Sequence, residues 1–413
     1  MLEFYVQSEF RMRQLRECAT GKYMDCFSDW LQSDGYKRGP AQLLLSGAAH
    51  LGEWASIEQV RIDQFDQAVL DNFASHLATC SCTHPFRGRD RRNMRGANRV
   101  VEHLQSRGIV PLAEAQPPPA LVEAFSDWMR RHRGTTESTI ALYASIAKEF
   151  LGACGADTAQ YDATSVRKFI LARASRTGHS RAQSVVNAIR MFLRFLATYA
   201  YCSAELIGAV PRLAHWRLSS LPRYISAQDI ERLVAVCNPA RPEGSRDRAI
   251  MLLLARLALR AGDVRDLRLQ DIDWTHSRLR VVGKGRSETR LPLPQDAGDA
   301  VLHYLDHFRP NLDDDHVFLR VCAPFGPLRS SSAISCLVHR AIRRAGIQTP
   351  STGAHLLRHS SATAMLRQGA SLDVIGAVLR HRSVESTAHY AKVDLPLLRS
   401  VAQPWPGNGG SSC

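Results

Sequence analysis

HLLRHSSATAMLRQGASLDVIGAVLRHRSVESTAHY occupies residues 355–390 and decides how the rest of the chain is interpreted. It contains a His-x-x-Arg pair, His355 and Arg358, then a later histidine, His381, and a tyrosine, Tyr390. Attack on a phosphodiester adds negative charge in the transition state, and arginine and histidine side chains donate hydrogen bonds that hold such charge. A tyrosine hydroxyl beside them is a candidate nucleophile on phosphorus. The stretch therefore predicts phosphoryl transfer through a covalent tyrosine.

The composition favours a nucleic-acid partner. The chain has 413 residues, too many for one compact core, so two or three domains are expected. Basic residues exceed acidic ones, which gives a net charge of +14. Such an excess indicates a polyanionic partner, although an arginine-rich protein without such a partner has the same composition.

Cysteine usage and the N-terminus favour a cytoplasmic protein. Ten cysteines are scattered without a dense framework, as expected for free thiols in a reducing compartment. Cys80, Cys82 and His84 have the spacing of a metal corner, but no fourth ligand follows at good spacing, so no metal site is predicted. The first residues do not resemble a signal peptide. The longest apolar run, residues 249–259, is too short to span a bilayer.

Two helical segments precede the region that contains the tyrosine. Residues 1–115 predict an N-terminal helical domain with an arginine-rich stretch at 85–99, which we expect to be a flexible or DNA-contacting loop. In that stretch we predict phosphate contacts by Arg87, Arg89, Arg91 and Arg92. A helix from Ala97 to about Ser106 and a proline-rich linker follow.

A short repeat connects these two helical segments. The motif FSDW occurs at residues 27–30 and again at 125–128, each time inside an amphipathic pattern. It indicates two copies of one helical unit, unless the match is a chance resemblance between amphipathic helices. The second copy belongs to a helical domain at residues 116–213.

The pattern changes after residue 214. Ser226 is a helix cap, and residues 246–259 predict a buried helix. Residues 278–282 and 289–293 predict two strands joined by a turn that contains Lys284, and helices are expected at 297–308 and 331–345.

Residues 222–395 resemble the catalytic domain of the tyrosine recombinases, the phage-integrase-type site-specific recombinases. The segment LALRAGDV at 257–264 is similar to their first arginine box, and VGKG at 282–285 resembles their lysine turn. The segments AHLLRH at 354–359, LRHRS at 379–383 and STAHY at 386–390 resemble the His-x-x-Arg, later histidine and nucleophile boxes. The six positions that the family requires are filled in order by Arg260, Lys284, His355, Arg358, His381 and Tyr390.

The resemblance implies a fold that is mainly α with a small antiparallel β-sheet. A helical core-binding, SAM-like domain at 116–213 would precede the integrase-type catalytic domain at 214–402. Separately, the composition of residues 403–413 predicts a disordered tail. The resemblance implies double-stranded DNA recombination sites as partners and a homo- or hetero-tetramer on them. It also implies a 3′-phosphotyrosine intermediate that needs neither ATP nor a metal ion, in a bacterial, nucleoid-associated protein.

Physical roles can be assigned to the two arginines and the lysine. Guanidinium groups of Arg260 and Arg358 match the two non-bridging phosphate oxygens, although ion pairs such as Arg260 with Asp263 are the alternative. Lys284, on a flexible turn, can protonate the leaving 5′-oxygen.

The remaining positions suit proton transfer and attack. His355 can accept or relay the tyrosine proton, and His381 can donate to the phosphate. We expect the surrounding positive charge to lower the pKa of Tyr390 and to favour its phenolate form. No role is assigned to His359 or His389.

The sequence departs from the family pattern at several places. Leu257 and Ala258 stand where Thr-Gly is common, Asp263 where Glu is common, and Arg380 where Gly is common. Arg380 either crowds the turn or adds a phosphate contact.

Two other functions remain open at this point. A type IB topoisomerase uses the same chemistry to relax DNA, and an accessory recombinase binds DNA without its own strand exchange. The duplicated helical region favours recombination over relaxation, and the complete set of six residues argues against an inactive centre.

Overall fold

The computed structural model describes residues 2–80, 91–112, 119–213, 221–283, 288–349, 351–381, 383–393 and 398. The described chain is mainly helical with small antiparallel sheets, as the sequence predicts. It divides into two compact units, one formed by Met1–Leu112 with Leu218–Cys413 and the other by Ala113–Arg217. None of the helices within the described ranges has the length and apolarity needed to cross a membrane. Residues 214–220 and the tail at 403–413 lie outside the described residues.

The N-terminal part of the first unit is helical. Its helices are α1 (Glu9–Arg16), α2 (Met24–Ser33), α3 (Arg38–Ile57), α4 (Gln67–Leu77) and α5 (Arg91–Ser106). The Asp66 side chain caps α4 by accepting a hydrogen bond of 2.9 Å from the Val69 N–H. Large buried side chains such as Phe27 and Phe73 form a core between these helices.

Helices α3 and α5 cross at two glycines. A Cβ atom added at Gly96 would lie 2.7 Å from the Cα of Gly47, so both positions need the close approach that only glycine allows. Helix α5 begins at Arg91, and this corrects the prediction that the whole arginine-rich stretch is a loop. The prediction was wrong because a close helix crossing is built from small residues and does not need large apolar ones. Arg87 and Arg89 lie outside the described residues.

The second unit is a helical bundle around its own apolar core. Its helices are α6 (Ala120–Arg133), α7 (Glu137–Cys154), α8 (Ala163–Ala174), α9 (His179–Thr198) and α10 (Leu206–Ala209). The FSDW motifs have the same local geometry in both units. The rings of Phe27 and Trp30 are stacked at 5.9 Å, and those of Phe125 and Trp128 at 6.5 Å.

The rest of the first unit holds the sheets and eight further helices of the described chain. The helices are α11 (Ala227–Ala235), α12 (Pro242–Arg256), α13 (Ala261–Arg265), α14 (Gln295–His307), α15 (Ser331–Ala345), α16 (Ala354–Arg367), α17 (Leu372–Leu379) and α18 (Val384–Ala388). The strands are β1 (Ile272–Asp273), β2 (Arg278–Val282), β3 (Glu288–Pro292), β4 (Leu319–Arg320) and β5 (Gly326–Pro327).

The predicted hairpin is confirmed. Strands β2 and β3 pair antiparallel, with Leu279 opposite Leu291, and the short strand β1, which the sequence did not reveal, pairs with the other edge of β2. Strands β4 and β5 form a separate antiparallel pair. Helix α12 ends at Arg256, earlier than predicted, because Ala258 has a φ of 50°, which an α-helix cannot contain.

Helix α16 is central to this part of the fold. Leu356 and Leu357 on α16 belong to the main apolar cluster together with much of α12. A smaller cluster on another side of α16 includes Ala362, Leu379 and Tyr390. The helix therefore anchors the residues of the His-x-x-Arg box between two cores.

Candidate active site

Arg358 lies in the interior of the site. Its residue surface is only 3% exposed, because α16 buries it between the two apolar clusters. Its Nη1 donates to the carbonyl of Ala258, and its Nη2 donates to the carbonyl of Leu379. Burial, and after it the charge of Arg260, lowers the pKa of the guanidinium to about 10. The group is still charged at neutral pH.

Arg260 reaches the same place from the start of α13. Its Nη2 donates to the carbonyls of Leu379 at 3.3 Å and Arg380 at 2.9 Å. The carbonyl of Leu379 therefore accepts hydrogen bonds from both Arg260 and Arg358. Two cations that share one acceptor form a centre that suits an anion, because an anion relieves their mutual repulsion.

Arg380 and Asp263 form a buried ion pair beside these cations. Nη2 of Arg380 donates to Oδ2 of Asp263, and both side chains are less than a tenth exposed. The same carboxylate oxygen accepts the Arg260 N–H at 2.9 Å. Arg380 has a φ of 53° and ends α17, which explains why glycine suits this position in the family pattern. The sequence predicts that Arg380 either crowds the turn or contacts a phosphate, and it does not predict this ion pair.

His381 is oriented by Thr387. Its Nδ1 lies 2.9 Å from the hydroxyl of Thr387, and its ring is nearly parallel to that of Tyr390, with the centroids 6.5 Å apart. Burial first, and then the charges of Arg358 and Arg260, lower the pKa of His381 to about 4. The imidazole is therefore neutral at pH 7.

Tyr390 is almost completely enclosed. It is 1% exposed and packs in the small apolar cluster with side chains such as Leu379 and Ile375. Burial raises the pKa of its phenol to about 12, and the opposing effect of Arg358 is smaller. The predicted lowering of this pKa is therefore wrong, because desolvation outweighs the nearby positive charge. The phenol is protonated and needs a proton acceptor in order to react.

His359 supplies a group of that kind, and the sequence had given it no role. Its Nδ1 lies 2.7 Å from the hydroxyl of Tyr390. Burial, and after it the neighbouring His355, lowers the pKa of His359 to about 4, so the neutral ring can accept a hydrogen bond from the phenol. The spacing of the two histidines could have indicated this role, because His359 follows His355 by four residues on α16 and residues four apart lie on one helix face.

His355 lies one helical turn before His359. It is exposed, whereas His359 is half-buried, and their ring centroids are 5.9 Å apart.

Lys284 lies outside the described residues. Of the six sequence-predicted positions, the structure brings together Arg260, His355, Arg358, His381 and Tyr390. This set of groups suits nucleophilic attack by a tyrosine hydroxyl on a bound phosphate.

Comparisons with known proteins identify the family. The sequence profile of the phage integrase family matches residues 223–395. A protein of Sinorhizobium fredii described as integrase/recombinase y4rA is 35% identical over 98% of this chain and 99% of its own length. The chain belongs to the phage integrase family. It is a tyrosine recombinase of the site-specific kind, and the topoisomerase and accessory-protein alternatives are not favoured.

Other relatives of this tyrosine recombinase match smaller parts of it. The tyrosine recombinase XerC of Staphylococcus saprophyticus is 30% identical over 46% of this chain and 62% of its own length. The solved structure of XerH site-specific recombinase bound to palindromic difH substrate covers 82% of this chain and 93% of its own, with a TM-score of 0.53 and 14% identity. A lambda integrase dimer bound to a COC′ core site covers 65% of this chain and 93% of its own, with a TM-score of 0.52 and 17% identity. These two structures share the fold of this tyrosine recombinase.

Proposed function

We propose that this recombinase integrates or exchanges mobile-element DNA by cutting and rejoining specific sites through a 3′-phosphotyrosine at Tyr390. The observation that carries the proposal is the meeting of Arg260 and Arg358 at the Leu379 carbonyl, in the same cluster as Tyr390. A strand phosphate would bind beside this carbonyl, between the two guanidinium groups. Its two non-bridging oxygens would then each accept hydrogen bonds from one guanidinium.

The proposed reaction begins with the proton of Tyr390. The phenol oxygen forms a bond to phosphorus while its proton passes to Nδ1 of His359, which lies 2.7 Å away. Charge that develops on the phosphate favours the protonated imidazole, so the histidine becomes a better base during the attack than in the free protein. His355, which is exposed, then relays the proton to solvent.

The leaving strand and the phosphate need donors. The bond from phosphorus to the 5′-oxygen breaks, and Lys284 protonates that oxygen. His381 donates from Nε2 to a phosphate oxygen, since its Nδ1 faces the Thr387 hydroxyl. A 5′-hydroxyl from a partner duplex reverses the steps and rejoins the strands. The ester keeps the bond energy, so no ATP is required.

The helical segments suit contact with the DNA backbone. The proposed domains are an N-terminal domain at 1–115, a core-binding domain at 116–213 and the catalytic domain at 214–402. Arg181 and Arg194 on α9 are exposed and can contact phosphates.

We propose a tetramer on two recombination sites, acting in the cytoplasm of a bacterium at the nucleoid.

A nicked suicide substrate tests the proposal. The site is first found by sequencing junctions made in cells, and the labelled duplex is then incubated with the full chain. A covalent protein–DNA adduct is expected from the wild type and from the control variant Tyr224→Phe. Tyr224 is a tyrosine outside the site. Tyr390→Phe should bind the duplex without forming the adduct.

Two other outcomes would contradict the proposal. Tight binding by the wild type without any adduct would indicate an accessory DNA-binding protein. Relaxation of any supercoiled plasmid without site preference would indicate a topoisomerase.

A further inference from the structure

A cluster of metal-ligating side chains lies in the N-terminal part, on helices that carry none of the residues of the recombination chemistry. It consists of His50 on α3, His76 on α4 and Cys80, which follows the end of α4. One nitrogen of each imidazole and the Cys80 sulfur lie within 4.8 Å of one another. His50 is fully buried, and the other two residues are half-buried.

The distances suit a tetrahedral ion. Zinc binds imidazole nitrogen at about 2.0 Å and thiolate sulfur at about 2.3 Å, so that neighbouring ligand atoms lie about 3.5 Å apart. Nε2 of His50 and Sγ of Cys80 are 3.4 Å apart. Small shifts of the His76 ring would complete three corners of the tetrahedron.

The surroundings favour bound metal over three solvated side chains. The ring of Phe73 meets His50 edge-on at 5.3 Å, and the ring of Trp54 lies 6.1 Å from that of His76. Both aromatic residues are buried. An apolar shell of this kind limits solvent access and strengthens the attraction between a thiolate and a cation.

Other groups in the described chain do not match this arrangement. Sγ of Cys26 lies 3.3 Å from Nε2 of His103, but within the described ranges no third ligand joins that pair. The other described cluster, at residues 314–316, consists of adjacent groups that form ion pairs with Arg268 and with each other. The cluster of His50, His76 and Cys80 therefore stands apart by its ligand types and its burial.

We propose that His50, His76 and Cys80 bind one zinc ion, with a water molecule as the fourth ligand, and that the ion joins the end of α4 to the middle of α3. Two imidazoles and a thiolate form a donor set that binds zinc in preference to magnesium or calcium, since those two ions prefer oxygen ligands. The ion closes the chain segment between His50 and Cys80, and its binding stabilises the N-terminal helices. The role is structural, and it does not depend on the proposed recombination mechanism.

The sequence pattern at Cys80 did not reveal this site. Its neighbours with metal-ligating side chains in that pattern are Cys82 and His84, whereas the partners in the proposed site come from 30 and 4 residues earlier in the chain. Only the packing of α4 on α3 brings His50 and His76 to it.

Metal analysis of the purified full chain tests the proposal. Mass spectrometry should find about one zinc per chain in the wild type. Cys80→Ser and His76→Ala should each lose most of it, whereas Cys26→Ser, which alters the other Cys–His pair, should keep it. His76→Cys retains a third ligand and should recover binding that His76→Ala lacks.

Cobalt provides a readout that does not depend on how well a variant folds. After removal of the zinc, Co²⁺ should give a thiolate-to-cobalt charge-transfer band in the wild type and quench the fluorescence of nearby Trp54. A chelator should lower the thermal midpoint of the wild type and leave that of Cys80→Ser unchanged. A wild-type chain that is metal-free and gives no cobalt band, or an equal loss of metal in Cys26→Ser, would overturn the proposal.

Discussion

Asp263 and Arg380 form a buried ion pair that joins the start of α13 to the end of α17. Both residues differ from those that are common at these positions in the family, Glu and Gly. The pair accommodates the arginine at this position, since a guanidinium at 380 can be buried only with a carboxylate to receive it. The pair fixes the backbone whose carbonyls at Leu379 and Arg380 hold Arg260.

The first prediction separates the ion pair from the backbone conformation at residue 380. Arg380→Ala removes the pair and leaves a non-glycine residue at a φ of 53°, so we expect a loss of about 3 kcal/mol in unfolding free energy. Arg380→Gly removes the same pair but relieves the left-handed strain, so its loss should be about 1 kcal/mol smaller. Urea unfolding of the two variants measures the difference. Equal stabilities for Gly and Ala would contradict the strain argument.

The second prediction concerns the proton of Tyr390. His359→Asn keeps an acceptor oxygen near the position of Nδ1 but removes the base, so the rate of adduct formation should fall by about 10²- to 10⁴-fold. His355→Asn should cause a smaller loss, because His355 is exposed and acts later in the proton path. The measurement is single-turnover cleavage of the suicide substrate.

The pH dependence of cleavage provides the control for His359. With a phenol pKa of about 12, the rate of the Asn variant should rise with hydroxide throughout the alkaline range. The wild type should show a flatter profile. A wild-type rate and profile in His359→Asn would leave the histidine with a positioning role only.

The third prediction concerns stability in acid. Burial lowers the pKa values of His359 and His381 to about 4, below the ordinary value of 6.5 in the unfolded chain. Between these values the unfolded chain binds more protons than the native protein, so stability falls as the pH decreases from about 6.5 towards 4. The loss should be on the order of 2 kcal/mol for the two histidines together, since both are half-buried. Urea unfolding at pH 7 and pH 5 measures it, and a double Asn variant should show a smaller difference.

The fourth prediction compares the two arginines. Arg358→Lys cannot donate to the carbonyls of Ala258 and Leu379 in two fixed directions, and each lost bond costs about 1–2 kcal/mol. It should lower both stability and cleavage. Arg260→Lys, at a half-buried position, should lower cleavage with a smaller effect on stability. Thermal unfolding and adduct formation, measured on the same preparations, distinguish the two effects, and an equal loss of stability would contradict the difference in burial.

Local patterns predicted much of the secondary structure. Ser226 caps α11, and its hydroxyl accepts the Asp229 N–H at 3.0 Å, as the capping pattern indicates. Helix α15 has the predicted bounds, and the β2–β3 hairpin forms where alternation predicts it. These features depend on residues within a few positions of one another, so a sequence contains them directly. The start of α5 was missed because its stability comes from α3, which is distant in the chain.

The order of the motif boxes determined by itself the family and the fold class and predicted the site residues, because residue types and spacing are properties of the chain. The environment of those residues came only from the tertiary structure. Burial reversed the expected pKa shift of Tyr390, and the packing of the helices placed His359 within hydrogen-bond distance of its hydroxyl. Desolvation and contacts between distant segments depend on how helices pack. For the same reason, only the fold could bring His50 and His76 to Cys80.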